Sequence, residues 1–166
     1  MNEARKHSHL AVGLAMALTL GLVAIEAQAH GDVTPHPIDT SSLPAVGKEW
    51  VEANPYRGNE KAVKVGAEGY LHNCAGCHGL NANSGGVAPD LLLLTKDCLD
   101  MTGKDQQAAC LKDSDAYFKE ITLNGKKNGD GRYVMPAYGG VFTQEAVWAV
   151  KAYTDARTVE ENKKAK

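Results

Sequence analysis

Cys74-Ala75-Gly76-Cys77-His78 places two thiols and an imidazole within five consecutive positions. The spacing C-x-x-C-H is that of covalent c-type haem attachment. Two thiols three positions apart at a helix end can add to the two vinyl groups of one porphyrin, and the next residue brings its imidazole beneath the iron. Gly76 leaves room for the macrocycle close to the backbone. Three other uses of these cysteines fit less well. A dithiol redox pair gives no reason for His78 and lacks a βαβ context. A zinc site would recruit Cys98 and Cys110, whose eleven intervening residues exceed the usual half-site spacing. A disulfide between Cys74 and Cys77 is sterically poor on a helix. The motif occurs once, so one haem c is expected.

The first 29 residues read as an export signal. Arg5 and Lys6 form a basic start, Leu10 to Ile25 an apolar stretch, and Ala27-Gln28-Ala29 a small-x-small cleavage site. The apolar stretch is shorter than the roughly 20 residues a spanning helix needs, so cleavage after Ala29 and a periplasmic product are expected. About 137 residues remain, enough for one domain with a single core. No later apolar run could cross a bilayer, so a soluble monomer without membrane insertion is expected. The formal charge of −2 is too balanced for a nucleic-acid or anionic-membrane partner. With two Phe and two Trp in the whole chain, a large prosthetic group would supply missing apolar volume.

Residues 30–58 carry Pro35, Pro37, Pro44 and Pro55 with no sustained period. They read as an irregular N-terminal arm with a short helix near Val46 to Ala53, and Trp50 and Tyr56 should pack it on the domain. Residues 59–157 form that domain. Asn59 can cap a helix whose face carries Ala62, Val63, Gly66, Tyr70 and Cys74. A second helix is expected from about Ser114 to Leu123, with Ala116, Tyr117, Phe118 and Ile121 on its apolar side and Gly125 ending it. The last should start at the N-cap Thr143 and run to about Arg157, burying Val147, Val150 and Tyr153. Residues 158–166 read as a charged, frayed tail. No strand ladder or internal repeat is evident, and the fold class is all-α with long loops.

Iron held by His78 needs a sixth ligand or an open site. Met135 lies in "YVMPAY", about 57 residues past His78, far enough for the chain to wrap round and approach from the other face. Pro136 restricts its backbone. A lone methionine is otherwise a core gap-filler. Met101, in a polar loop, and His30, His36 and His72 are the remaining candidates. A thioether ligand raises the reduction potential and closes the site to oxygen and peroxide, which favours an electron carrier over an enzyme.

With Cys74 and Cys77 committed, Cys98 and Cys110 remain. In an oxidising compartment an even pair most simply forms a disulfide, with two free thiols or an intermolecular link as alternatives. It would staple an inserted loop of about 13 residues, for roughly 3 kcal/mol, with Met101 a bystander.

Gly66, Tyr70, Cys74, Cys77, His78, Pro89, Met135, Val150 and Tyr153 resemble the pattern of class I c-type cytochromes over about Asn59 to Arg157. That resemblance implies the class I cytochrome c fold. It also implies that Gly66 and Tyr70 cross the last helix at Val150 and Tyr153, and that the Pro89 carbonyl accepts a bond from His78 Nδ1. "GDVTP", "NPYRG", "SGGVAPDL" and the Cys98/Cys110 pair are similar to the cytochrome c-550 (PedF-like) group, electron acceptors of PQQ-dependent alcohol dehydrogenases, related to XoxG-type cytochromes. The function so implied is a one-electron carrier from an ethanol-type PQQ dehydrogenase towards a downstream cytochrome or terminal oxidase. Alternatives are an acceptor for a lanthanide-dependent methanol dehydrogenase and a general periplasmic carrier. A haem peroxidase or gas sensor would need an open iron, and a dihaem peroxidase a second C-x-x-C-H. The surface around Gly76 to Leu80 and Gly139 to Thr143 is the expected docking edge.

Overall fold

In the computed structural model, residues 34–165 are described. The export signal, its cleavage site, His30 and the "GDV" that follows it lie outside the described residues.

Helix α1, Glu60–Asn73, begins where the Asn59 side chain accepts from the amides of Lys61 (3.0 Å) and Ala62 (3.1 Å). That cap satisfies two amides that have no partner within the helix. Its buried face is Ala62, Gly66, Gly69, Tyr70 and Asn73. After a break at Cys74, the one-turn helix α2, Ala75–His78, completes the cysteine motif.

Two helical stretches depart from the sequence reading. Helix α3, Leu93–Leu99, occupies the leucine run, and α4, Lys104–Asn124, starts ten residues before the expected Ser114. The added turns of α4 are rich in Ala, Gln and Lys, good helix formers with little apolar periodicity, so amphipathicity does not reveal them. The apolar side of α4 is also rotated: Phe118 and Thr122 are buried, while Ala116 and Tyr117 are exposed. Gly125, at φ 66°, ends the helix as expected.

Two short antiparallel strands, β1 (Lys126–Lys127) and β2 (Tyr133–Met135), form an unforeseen hairpin. The fold is otherwise all-α. Helix α5, Gln144–Lys164, is capped by Thr143 Oγ1 and continues past Arg157 through the expected tail. Arg157 pairs with Glu160 and Glu161, and Lys164 with the same two glutamates, so the tail charges lie at helical i,i+3 and i,i+4 spacings.

The core forms where α1 packs on α5, around Tyr70, Val147, Trp148 and Val150. The rings of Tyr70 and Tyr153 lie 5.0 Å apart across that crossing.

The arm packs on the domain as irregular chain, and no helix forms near Val46 to Ala53. The first turn of α5 takes up the backbone groups a helix there would have used. Val46 N donates to Glu145 Oε1 (2.9 Å) and Val51 N to Gln144 Oε1 (2.7 Å), while Gln144 Nε2 donates to the carbonyls of Gly47 (3.2 Å) and Glu49 (2.9 Å). Trp50 sets its ring edge against buried Trp148 at 6.2 Å, and Tyr56 is buried with its hydroxyl on the Pro44 carbonyl. Arg57 fastens the arm's end, with Nη2 2.6 Å from Asp115 Oδ1 on α4 and Nε 3.1 Å from Asp155 Oδ2 on α5.

Candidate haem site

Every residue proposed for haem attachment and ligation opens onto one cavity of about 230 Å³. Cys74, Cys77, His78, Pro89 and Met135 line it, with a mainly apolar wall that includes Leu94, Phe118, Ile121, Phe142 and Val150.

His78 is buried at the end of α2, and its Nδ1 lies 2.8 Å from the Pro89 carbonyl oxygen. A carbonyl only accepts, so Nδ1 carries the proton and Nε2 keeps the lone pair that a metal would take. The chain around it is held from two sides. Gly79, at φ 79°, turns the backbone so closely against Asn83 that a β-carbon would sit 2.1 Å from the Asn83 carbonyl oxygen. Tyr70 Oη donates to the Gly79 carbonyl at 2.6 Å.

Cys74 and Cys77 are not bridged to each other, and both are part-buried. The space above Gly76 is open: a β-carbon there would meet nothing within 4 Å.

Met135 reaches the cavity from β2, paired with Lys126 across the hairpin. The following loop is pinned to the C-terminal carbonyls of α4, with Tyr138 N donating to Thr122 O and Gly139 N to Leu123 O, each at 3.0 Å. Tyr138 Oη in turn donates to the Asn73 carbonyl at 2.6 Å, tying the Met135 loop to the residue before Cys74. Burial raises the Tyr138 phenol above its ordinary value, and the same holds for Tyr70.

The other candidate ligands are elsewhere. Met101 is exposed between α3 and α4, and His36 and His72 are exposed and do not line the cavity. Cys98 and Cys110 are joined by a disulfide, with Cα atoms 5.5 Å apart. They sit on α3 and α4, so the bond staples a helical pair rather than the inserted loop expected from the sequence. Of the expected docking edge, Phe142 is buried against the cavity, while Leu80 is exposed but lines a separate polar depression beside Arg157. The exposed apolar rim of the cavity is Val87, Tyr117 and Val134, from three separate segments. Sequence reading missed this rim because its members share no local pattern.

The donor set fits haem c: two cysteines in C-x-x-C order that are not bridged to each other, an imidazole whose Nδ1 is held by Pro89, a thioether, and a mainly apolar wall. Residues 61–153 match the family described as "Cytochrome C oxidase, cbb3-type, subunit III". The chain is 42% identical over 153 residues to a cytochrome c550 of Pseudomonas aeruginosa, covering 90% of this chain and 94% of the relative. No solved structure matches it. The C-x-x-C-H motif, the helical fold and this extent of identity place the chain in the class I c-type cytochrome family, close to cytochrome c550, as an electron-transfer protein with covalently bound haem c rather than an enzyme.

Proposed function

We propose that this protein is a periplasmic monohaem carrier that accepts single electrons from a PQQ-dependent alcohol dehydrogenase and passes them towards a terminal oxidase. The observation that supports it best is the convergence of Cys74, Cys77, His78 and Met135 on one apolar cavity. When bound there, haem c supplies reversible one-electron exchange at its iron. Cys74 and Cys77 would hold it by thioether bonds, and His78 would present Nε2 while the Pro89 carbonyl fixes the ring through Nδ1. Met135 would offer its thioether from a segment that the hairpin and the end of α4 hold in place. Phe118, Phe142 and Val150 keep water from the site.

The partner reading rests on the resemblance of the arm and loop motifs to those of the cytochrome c-550 group. Exposed Val87, Tyr117 and Val134 beside Lys126 form a small apolar rim, suited to a brief encounter rather than a stable complex. Export and cleavage after Ala29, with a domain at 59–157, complete the proposal. Among the described residues no helix is long and apolar enough to cross a membrane.

Stopped-flow mixing of the oxidised protein with a reduced quinoprotein alcohol dehydrogenase of the same organism tests the partner. Rapid appearance of the reduced α-band is the expected result. Reduction by a lanthanide-dependent methanol dehydrogenase alone would move the assignment to that enzyme.

A further inference from the structure

Lys151 of α5 is fully buried, and its ammonium is enclosed by carboxylates from two helices. Its Nζ donates to Asp155 Oδ1 one turn along α5 and lies 3.6 Å from Asp115 Oδ1 of α4. Arg57 of the arm completes the set against the same two aspartates, from a position 29% exposed. The Asn54 amide adds a bond to Asp115 Oδ2 at 2.8 Å. Two cations and two carboxylates make the cluster neutral, but they are ordered in depth. Arg57 lies at the solvent side, while the Lys151 ammonium is 5.9 Å from the centre of the Phe118 ring, a wall of the haem cavity. Val150, the residue before Lys151, lines the cavity as well.

Burying three charges beside a half-buried fourth in a core this small is no efficient source of stability, because apolar replacements of such clusters are often neutral or stabilising. The cluster's place, one side-chain layer behind the cavity wall, gives it another use. Losing an electron adds one unit of positive charge to whatever occupies the cavity. An ammonium held nearby in a low-dielectric interior opposes that change, whereas a carboxylate favours it.

We propose that the Arg57–Asp115–Lys151–Asp155 cluster tunes the reduction potential of the bound haem, the inward ammonium of Lys151 holding it up and Asp155 pulling it down. These are positioning residues that act through the field, without touching the haem. The inference rests on the haem site proposed above.

Spectroelectrochemical titration of the purified holoprotein at pH 8 is the test. Lys151→Met leaves one uncompensated carboxylate and lowers the midpoint, by on the order of tenfold in the reduction equilibrium if the charge acts over ~10 Å at an effective dielectric constant of about 20. Asp155→Asn shifts the midpoint the other way, and Lys151→Met combined with Asp155→Asn returns it close to the parent value. A merely structural role would loosen the site and move both single variants in the same direction, and that result, or midpoints unchanged in both, overturns the proposal. Should Lys151→Met fail to fold, Arg57→Gln removes the outer cation of the same cluster and lowers the midpoint by less, with no shift counting against the proposal. Intact mass and the thioether-to-iron charge-transfer band are read on each variant. A parent protein without covalent haem would sink the site reading itself, a result distinct from a loaded protein whose potential ignores these charges.

Discussion

Gly66 of α1 lies directly against the backbone of Ala149 on α5: a β-carbon at position 66 would sit 1.9 Å from the Ala149 carbonyl oxygen and 2.4 Å from its carbon. No side-chain rotation relieves that approach, since both atoms met are backbone. The crossing of the two helices is therefore set by a missing methyl group. Gly66→Ala should cost at least the ~1–3 kcal/mol of an overpacked core and weaken haem retention with it. Urea unfolding of the holoprotein reads the cost, and an unchanged midpoint would show that the helices can separate freely.

The two methionines make opposite predictions. Met135 lines the cavity and Met101 is 39% exposed on the turn between α3 and α4. Met135→Leu should abolish the thioether-to-iron band and lower the reduction potential, whereas Met101→Leu should leave both as they were. A normal spectrum in the Met135 variant would pass the sixth position to another residue.

The Cys98–Cys110 bond spans a sequence separation of 12 and joins α3 to α4. Replacing both cysteines by serine should cost roughly 3 kcal/mol by the chain-entropy model while the haem spectrum stays the same. Labelling of either thiol by iodoacetamide in the unreduced native protein would contradict the bond.

Tyr70 and Tyr138 are buried phenols whose hydroxyls donate to the carbonyls of Gly79 and Asn73. Burial raises both above the ordinary value of 10.0, because the phenolate loses its hydration. The sign follows from linkage: the folded state holds protons that the unfolded state releases, so the stabilisation is complete below pH 10 and is lost as pH rises beyond it. Urea midpoints should be level for this pair from pH 7 to about 9.5 and fall above 10, with Tyr138→Phe reducing the slope. An equal slope in that variant would place the titration elsewhere.

Gln144 serves the arm through three hydrogen bonds and accepts a fourth from Trp148 Nε1 at 3.3 Å. Gln144→Ala should free the turn that carries Trp50, cost about 1–3 kcal/mol for the polar groups left without partners, and red-shift the tryptophan emission. Unaltered emission and stability would show that the arm is held mainly by Arg57 and Tyr56.

What could be read directly from the chain was local chemistry. Cys74, Cys77 and His78 are bound to one another by spacing, since attachment to one porphyrin demands it. Asn59 and Thr143 mark helix starts because a cap acts within three residues of itself. Gly125 ends α4 for an equally local reason, its positive φ. The resemblance to class I cytochromes extended this to Pro89, whose bond to His78 spans eleven residues and has no local signature.

The tertiary structure decided whatever depended on distant partners. The Val46–Ala53 segment is irregular because Gln144 and Glu145, more than 90 residues away, claim its backbone groups. The early turns of α4 carry no apolar stripe that periodicity could detect, yet they are helical and bonded to α3 through Cys110. Arg57, Asp115, Lys151 and Asp155 look like ordinary surface charges in the sequence, and only the packing of the arm on α4 and α5 brings them into one buried cluster. The neighbours of Met135 in the chain point to it, but its place on the cavity comes from a hairpin and from the carbonyls at the end of α4, which hold the loop that follows it. Covalent spacing and capping act over a few residues and are visible in the amino-acid order, whereas burial and charge pairing exist only once the helices have met.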